Sequence, residues 1–246
     1  MKRVLLILLL LPLSIALYSQ SAISTLYADK KLNFGVKTGF TSTIFMTSNF
    51  SMGDVKIKQV QNNYKVGYAS SFFMRYNMKS HYIQSELVYS INKCEITFEK
   101  HGEKQQGFTP DYASINSRMH SIEIPILYGY NFIKKDIYGM SFFVGPKIRY
   151  FWESKSKMEY TNFDQLNIDE DFYPINFGLT AGIAVYISKI FFDFRYEQIL
   201  HNISKGVDYD GMRNVSISQS DKNLSQGEIK LHRRDHMLSF SLGVIF

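Results

Sequence analysis

The sequence predicts an all-β fold, namely an eight-stranded antiparallel up-and-down transmembrane β-barrel with short turns at one end and long loops at the other. Three observations predict it. Eight segments alternate between an apolar row and a small or polar row, long and short connections alternate between these segments, and the first residues resemble an export signal. The 20 Phe and 17 Tyr residues fit this class, because aromatic side chains favour strands and membrane interfaces.

The N-terminal segment has the parts of a secretory signal peptide. Lys2 and Arg3 precede an apolar run of about 14 residues, and small and polar residues follow it. A membrane-spanning helix needs about 20 apolar residues, so this run is too short to be an anchor. The expected divisions are a signal peptide (1–19), a short N-terminal periplasmic segment (20–31) and an outer-membrane β-barrel domain (32–246).

Period-two alternation recurs eight times after this segment. In the first predicted strand, Leu32, Phe34 and Val36 alternate with Asn33 and Gly35, which gives one apolar row and one small or polar row. The same pattern predicts strands over residues 32–41, 64–78, 83–92, 121–131, 142–152, 176–185, 190–197 and 238–246. In chain order their apolar rows begin at Leu32, Tyr64, Ile83, Ile122, Phe142, Phe177, Ile190 and Leu238.

Individual strands carry further local signals. The second strand leads into a predicted turn at Lys79 and Ser80, and the sixth leads into one at Ser188 and Lys189. Pro125 in the fourth strand has no backbone N–H to donate, so we expect a bulge or a bend of the barrel there.

The connections alternate in length. The long polar connections are 46–63, 95–117, 153–173 and 198–235, and the short ones are 79–80, 132–139 and 188–189. Outer-membrane barrels have short periplasmic turns and longer extracellular loops. We therefore expect both chain ends on the periplasmic side, because an even number of strands returns the chain to the side where it began.

Charged residues and glycines share the polar row. The predicted barrel-interior charge network is Lys37, Lys65, Arg75, Glu86, Glu123, Lys147, Arg149, Asp193, Arg195 and Glu197, and the glycines of that row are Gly35, Gly39, Gly67, Gly129, Gly145, Gly178, Gly182 and Gly243. On the lipid face, Arg or Lys near mid-bilayer would cost about 2–4 kcal/mol each. Eight strands enclose an interior just wide enough for side chains. We therefore expect opposite charges to pair across the interior, with glycine relieving crowding on the concave face.

The competing fold is a soluble β-sandwich, whose strands also alternate. Glycine and charge on one common row favour the barrel, and the first and last strands must then pair with each other, because open sheet edges are not tolerated in hydrocarbon. Aromatic residues near the strand ends are expected to form interface girdles, namely Tyr82, Tyr128, Tyr130, Tyr150 and Trp152.

Six stretches resemble the PorT-like outer-membrane β-barrel family of Bacteroidota: LNFGVKTGF (32–40), YIQSELVYS (82–90), IEIPILYGYNF (122–132), FFVGPKIRYF (142–151), FGLTAGIAVYI (177–187) and MLSFSLGVIF (237–246). The resemblance covers essentially the expected mature chain and implies eight strands in the cell outer membrane. Phe246 resembles the C-terminal aromatic residue that such barrels present to the outer-membrane assembly machinery. The namesake of the family is tied to type IX protein secretion, which implies an envelope or secretion partner as an alternative.

Two acidic segments are candidate calcium ligands, because Ca²⁺ prefers oxygen donors. They are Asp164, Asp169, Glu170 and Asp171, and the segment 208–211. A solvated loop and a turn are the simpler interpretations, so we predict neither a metal nor a cofactor.

Histidines near the expected outer rim are the other candidates. His120 and His236 with Ser121 suggest a hydrolase arrangement, but no nucleophile-elbow motif frames a serine, so we predict no catalytic residue. The polar cluster His232, Arg233, Arg234, Asp235 and His236 is interpreted as an anchor to phosphates of surface lipids or as a partner surface.

Composition limits the function further. With Cys94 as the single cysteine, no internal disulfide is available. The net charge of +6 is spread among acidic residues, and export separates the chain from nucleic acid, so no nucleic-acid partner is expected. The sequence predicts a non-enzymatic outer-membrane protein with a structural or surface-interaction role, whose partners are outer-membrane lipid and the assembly machinery. The alternatives are a secretion accessory, a lipid-modifying enzyme and a small-solute channel.

Overall fold

The computed structural model describes residues 30–52, 55–56, 60–99, 112–135, 137–152, 157–162, 169–208 and 229–246. The expected signal peptide and most of the segment 20–31 lie outside these ranges. The described strands are β1 (Leu32–Met52), β2 (Val55–Lys56), β3 (Val60–Tyr64), β4 (Val66–Met78), β5 (His81–Glu99), β6 (Tyr112–Lys134), β7 (Tyr138–Phe151), β8 (Lys157–Thr161), β9 (Asp169–Phe172), β10 (Ile175–Ile187), β11 (Ile190–Ile199), β12 (Ser204–Asp208) and β13 (Ile229–Ile245). Nowhere in these ranges is there a helix with the length and apolar character needed to cross a membrane.

Eight of these strands form a closed antiparallel ring. The order around it is β1, β4, β5, β6, β7, β10, β11 and β13, and β13 pairs back with β1. The closing ladder runs from the pair Gly35 and Ile245 to the pair Met52 and Ile229. Closure gives every ring strand two neighbours, so no sheet edge faces lipid. The predicted eight-stranded barrel and the predicted pairing of its first and last strands are confirmed.

Five short strands extend the ring at the end opposite the short turns. β2 pairs with β1, β3 with β5, and β8 with β6, while β9 and β12 form a separate two-stranded sheet. The four strands β3, β5, β6 and β8 lie side by side there, and we call them the extracellular sheet. Long connections and this sheet lie at one end of the barrel, and the short turns lie at the other.

The ring strands run further than the sequence pattern predicts. β6 contains 23 residues, whereas crossing a bilayer takes about 9–11 tilted strand residues. The segments predicted as long loops, 46–63, 95–117, 153–173 and 198–235, therefore contain strand residues from β1, β2, β3, β5, β6, β8, β9, β11, β12 and β13. This part of the prediction was wrong, because the polarity of the two faces changes where the strands leave the membrane.

That change is clearest along β5 and β6. Nearer the short turns, apolar side chains such as Leu87 and Ile124 are exposed on the outer face. Further along, the buried inner row is apolar, and Ile96 lies opposite Ile115. The outer row beside it is polar and at least partly exposed, with Lys93, Glu95, Asn116 and Arg118. Lipid requires an apolar exterior and water requires an apolar interior, so β5 and β6 each cross the membrane with one half and stand in water with the other.

The short turns match the prediction at two positions. Lys79 (φ 47°) and Ser188 (φ 53°) adopt the left-handed conformation at the first residue of the turns 79–80 and 188–189. Pro125 causes no register shift, but the pairing is interrupted beside it: Ile126 and Leu127 have no partners on β7, and Ile124 and Pro125 have none on β5. The register shift of this ladder lies between Asn131 and Ile133 instead, so the expectation of a bulge at Pro125 was wrong, while the alternative of a bend there stays a prediction.

Interior aromatic rings pack against glycines on the neighbouring strand. Tyr82 is directly opposite Gly129, and Phe143 is directly opposite Gly182. A Cβ atom at Gly129 would lie 2.1 Å from the Tyr82 ring. The same arrangement joins Phe73 with Gly35, Phe191 with Gly243 and Tyr186 with Gly139. The expected relief of crowding by glycine on the concave face is confirmed.

Tyr82 corrects the predicted girdle. Its side chain is buried inside the barrel, and its hydroxyl lies 3.1 Å from Ser141 Oγ. Tyr82 precedes the outward-facing Ile83, so strand alternation sends its ring inward, and its position near a strand end was a misleading signal. The other predicted girdle residues, Tyr128, Tyr130, Tyr150 and Trp152, are exposed on the outer face.

Candidate functional site: the ion-paired barrel interior

Two clusters of ion pairs fill the middle of the barrel. The first, which we call the periplasmic-side cluster, consists of Lys37 from β1, Glu86 from β5, and Asp193 and Arg195 from β11. Lys37 Nζ lies 3.0 Å from Glu86 Oε2 and 2.9 Å from Asp193 Oδ2. The Arg195 guanidinium donates to both Glu86 oxygens, at 2.9 and 2.7 Å. This bidentate hydrogen bond joins β11 to β5 on the opposite side of the barrel.

The second group, the extracellular-side cluster, consists of Glu123, Lys147, Arg149, Glu197 and Asp235. Glu123 accepts from Lys147 Nζ and from Arg149 Nε, each at 2.8 Å. Arg149 also donates to Asp235 Oδ2 at 2.6 Å, and Lys147 pairs with Glu197. All five side chains are buried. Together they connect β6, β7, β11 and β13 across the interior.

Hydroxyl groups complete the coordination of Glu123. Ser90 Oγ and Ser121 Oγ lie 2.7 Å apart and donate to Glu123 Oε1 at 3.0 and 3.1 Å. A buried carboxylate costs free energy unless it is paired and hydrogen-bonded. The serines therefore act as positioning groups for an ion pair.

Arg75 is buried without an ion pair among the described residues. Its guanidinium lies over the Tyr82 ring, 4.2 Å from the centroid, and its Nε donates to Gln84 Oε1 at 2.6 Å. Gln84 in turn donates to Glu86 Oε1 at 2.5 Å. The aromatic face and this relay connect Arg75 to the periplasmic-side cluster. With Arg75 included, the described part of the chain has equal numbers of buried Lys or Arg cations and carboxylates, five of each.

Two charged residues lie elsewhere than the sequence predicts. Lys65 lies outside this interior: it precedes β4, its side chain is 43% exposed, and it pairs with Glu95 at 3.0 Å. Asp235 belongs to the interior although it was placed in a polar loop cluster. The inner row of β13 continues from Ser241 and Ser239 back to Asp235, which is the signal that would have found it. The other nine predicted charges lie inside the barrel.

Apolar layers enclose the ionic middle at both ends. Toward the short turns, Tyr82, Leu127, Phe143 and Ala184 form one buried cluster, and Phe73, Phe191 and Ile245 form another. Toward the loops, Phe151 follows Arg149 on the inner row, and its ring centroid lies 6.1 Å from that of Phe172. Such layers keep water from the ion pairs and strengthen each electrostatic contact.

The space left between the two clusters is small. A cavity of about 20 Å³ lies between Lys37, Glu86, Glu123, Arg195 and Glu197, among other residues. That is room for about one water molecule. The space between the two clusters is therefore too small for a continuous file of water molecules.

We expect no ion conduction through this barrel. In a planar lipid bilayer the purified protein should give background current, because the ion pairs occupy the interior that a channel would need. A large water-filled porin in the same bilayer is the positive control. Regular unitary current steps from the wild-type chain would contradict a filled interior.

The histidine and serine candidates do not come together. Ser121 points inward to Glu123, whereas the neighbouring His120 lies outward, with its Nδ1 2.7 Å from the Tyr89 hydroxyl. His236, which is buried, makes a pair with the Tyr196 hydroxyl through its Nδ1. His81 pairs with Tyr128 in the same way. These outer pairs lie on the aromatic band of the wall and do not form the arrangement of a hydrolase.

The remaining polar candidates are dispersed. In the cluster 232–236, Arg234 is exposed, whereas Asp235 and His236 are buried. The side chains of His232 and Arg233 are not among those that the structure describes. Of the proposed calcium ligands, Asp164 lies outside the described residues, as does most of 208–211. Asp169, Glu170 and Asp171 lie in β9 and not in a loop. Within the described ranges no three metal-ligating side chains gather.

Comparisons with known proteins agree with this architecture. The family model described as "Outer membrane protein beta-barrel domain" matches residues 18–205. No curated protein sequence matches the chain. The solved outer membrane protein OprG from Pseudomonas aeruginosa is similar in fold, with a TM-score of 0.52 at 9% identity, covering 90% of this chain and 99% of that chain.

Two further structures are less similar. Ail, the attachment invasion locus protein of Yersinia pestis, solved with the heparin analogue sucrose octasulfate, gives a TM-score of 0.35 at 10% identity, covering 88% of this chain and 100% of that chain. Neisserial surface protein A gives 0.33 at 9% identity, covering 87% of this chain and 97% of that chain. With TM-scores and identities this low, neither structure supports a conclusion about the function of this chain.

Proposed function

Since the chain belongs to the outer membrane protein beta-barrel domain family and lies in the outer membrane, we propose that it is a non-enzymatic surface-interaction protein. In this proposal the ion-paired barrel is a rigid anchor, and the extracellular sheet with its loops contacts the partner. A fold by itself carries no activity, so the proposal rests on the distribution of polarity along the strands.

The observation that carries the proposal is the change of polarity along β5 and β6. A protein that needed only to fill the membrane could end its strands at the headgroups. Here the wall continues into water with an apolar inside, which includes Cys94 and Ile96, and a polar outside. A folded wall presents side chains at fixed positions, which lowers the entropy cost of binding a partner.

The outer face of the extracellular sheet carries mixed charge. Arg118 on β6 lies opposite Lys157 on β8, and Asn116 lies opposite Glu159. Charged and amide groups held in this register suit a polar partner at the cell surface, such as a protein or a glycan. The proposal therefore places the contact on this face.

Cross-linking in intact cells tests the proposal. A photoreactive residue in place of Arg118, which is exposed on the extracellular sheet, should capture a partner. The same residue in place of Ile137, which is 66% exposed at the short-turn end, is the matched control.

The two positions separate the proposed role from its main alternative. A partner captured only through position 137 would replace the surface role with an accessory role in secretion, which the resemblance to the PorT-like family implies. Capture at neither position would also contradict the surface role.

Recognition by the assembly machinery is a second part of the proposal, and Phe246 is its expected signal. The Phe246 ring is 55% exposed, while its backbone N–H donates to Phe34 O at 2.9 Å. The ring thus adds little to the ladder that closes the barrel.

A Phe246→Ser variant should therefore reach the outer membrane in much smaller amount yet refold normally in detergent. Membrane fractionation and a gel-shift assay for the folded barrel measure the two properties. Phe240→Ser removes an exposed ring from the middle of the same strand and should lower stability in detergent as well. Equal outer-membrane levels of Phe246→Ser and wild type would exclude Phe246 as the signal.

A further inference from the structure

The short-turn end of the barrel carries a concave site lined with lysines. A cavity of about 540 Å³ lies against Lys30, Lys31, Tyr76, Asn77, Met78, Lys79, Ser80 and Lys134. These residues come from the two positions before β1, from β4 and the turn after it, and from the end of β6. Because short turns are periplasmic in such barrels, the cavity faces the periplasmic leaflet. We call it the periplasmic lysine cavity.

Backbone contacts fix the geometry of this cavity. Asn77 donates from its backbone N–H to Lys31 O at 2.7 Å and from its side chain to Lys30 O at 2.8 Å. Lys134 Nζ donates to Lys79 O at 3.3 Å, across the intervening strand β5. The lysine backbones are therefore held by neighbouring strands, and the site is built into the end of the barrel wall.

The electrostatics of the cavity are one-sided. Four of the described lining residues are lysines, and none of the described lining residues is a carboxylate. A smaller adjoining cavity of about 30 Å³ shares Asn77, Lys79 and Lys134 and reaches inward to Arg75. Clustered basic side chains attract phosphate, and each ammonium offers three donors.

Apolar side chains complete the lining. Tyr76 and Met78 are 46% and 37% exposed, and they end the outward apolar row of β4 that also contains Phe72 and Met74. The cavity thus lies where the lipid-facing wall meets the headgroup region. A free phosphate ion would use only the lysines, whereas a phospholipid would also cover Tyr76 and Met78.

We propose that the periplasmic lysine cavity binds an anionic phospholipid of the periplasmic leaflet, with its phosphate among Lys31, Lys79 and Lys134 and its acyl chains along the outer face of β4. The lysines supply charge, and Tyr76 and Met78 supply the apolar surface that continues into the membrane. A bound lipid would then neutralise the basic end of the wall.

Retention of lipid by the full-length protein tests the proposal. The detergent-solubilised protein is mixed with phosphatidylglycerol or phosphatidylcholine and examined by native mass spectrometry. The wild type should retain phosphatidylglycerol in preference to phosphatidylcholine. The triple variant Lys31→Gln, Lys79→Gln, Lys134→Gln should lose this retention by about tenfold or more, because each basic group near an anionic headgroup contributes separately.

Three further variants show whether a loss of retention comes from the periplasmic lysine cavity itself. The triple variant Lys65→Gln, Lys93→Gln, Lys157→Gln removes the same charge from the extracellular end and should retain the lipid. Single Lys79→Gln should give a partial loss even if the triple variant folds poorly. Tyr76→Ser with Met78→Ser should lose phosphatidylglycerol but not the binding of inorganic phosphate.

Three results would overturn the proposal. One is equal retention of the two lipids by the wild type. Another is equal loss of phosphatidylglycerol in both triple variants, which would indicate general electrostatics. The third is full retention after the changes at Tyr76 and Met78 together with displacement by millimolar inorganic phosphate, which would assign the cavity to a free anion.

Discussion

A Glu123→Gln variant should unfold at a much lower urea concentration than the wild type, by an amount that corresponds to about 3–5 kcal/mol. Glu123 accepts hydrogen bonds from Lys147, Arg149, Ser90 and Ser121 in a layer that apolar side chains enclose. The amide keeps the shape of the carboxylate but removes its charge, which leaves two buried cations with too little compensation. Urea titration followed by gel shift or tryptophan fluorescence measures the change.

The matched control for this variant is Glu95→Gln. Glu95 pairs with Lys65 at 3.0 Å, but the two side chains are 24% and 43% exposed, so its loss should cost less than about 1 kcal/mol. Adding Lys147→Met to Glu123→Gln should not restore the stability, because Lys147 is also the ion-pair partner of the buried Glu197. An unchanged urea midpoint in Glu123→Gln would show that the interior network does not stabilise the barrel.

A Gly145→Ala variant should largely fail to form the folded barrel. A Cβ atom at Gly145 would lie 1.9 Å from Ile126 O and 2.9 Å from Leu127 Cα, and both atoms belong to the backbone of β6. No side-chain rotation relieves such a contact, so β6 and β7 would have to separate. The expected cost is at or above the upper end of the range of about 1–3 kcal/mol for overpacking. The folded fraction after refolding in detergent measures it.

Two other substitutions should reduce the folded fraction less than Gly145→Ala does. Gly129→Ala would meet the Tyr82 ring, which can shift at the expense of its contacts with Ser141 and Arg75, so its effect should be smaller. Ala181→Val adds more volume but lies exposed on the lipid face opposite Val144, so the folded fraction should match the wild type. Equal yields for all three variants would contradict the role assigned to glycine on the concave face.

Much of the membrane-spanning part could be predicted from the sequence, because two different environments act on alternate residues. Lipid excludes charge from one row, so Lys37 and Lys147 had to lie on the other row. Curvature puts glycine on that same row, as at Gly35 and Gly145. These constraints repeat in every ring strand, and their agreement gives the strand number and the inner face.

The rest of the candidate site depends on information that a single strand does not contain. Lys37 on β1 reaches Glu86 on β5 across the intervening β4, and that partner is set by the stagger of the whole ring. The predictions for Lys65 and Asp235 were wrong because the predicted strand ends were wrong. Lys65 precedes β4 and so leaves the inner row, whereas Asp235 lies within β13 and so belongs to it. Beyond the membrane the two faces exchange polarity: the inward row becomes apolar and the outward row becomes polar. The alternation of period two therefore continues there with its faces reversed, in segments that the sequence analysis predicts as loops.

The closing ladder between β1 and β13 also determines when this protein can finish folding. The pair Gly35 and Ile245 joins residues near the two ends of the described range, so the cylinder cannot close before the last ring strand is available. Pairings this distant in sequence form slowly. The ladder between β1 and β13 is therefore expected to be among the last contacts to form.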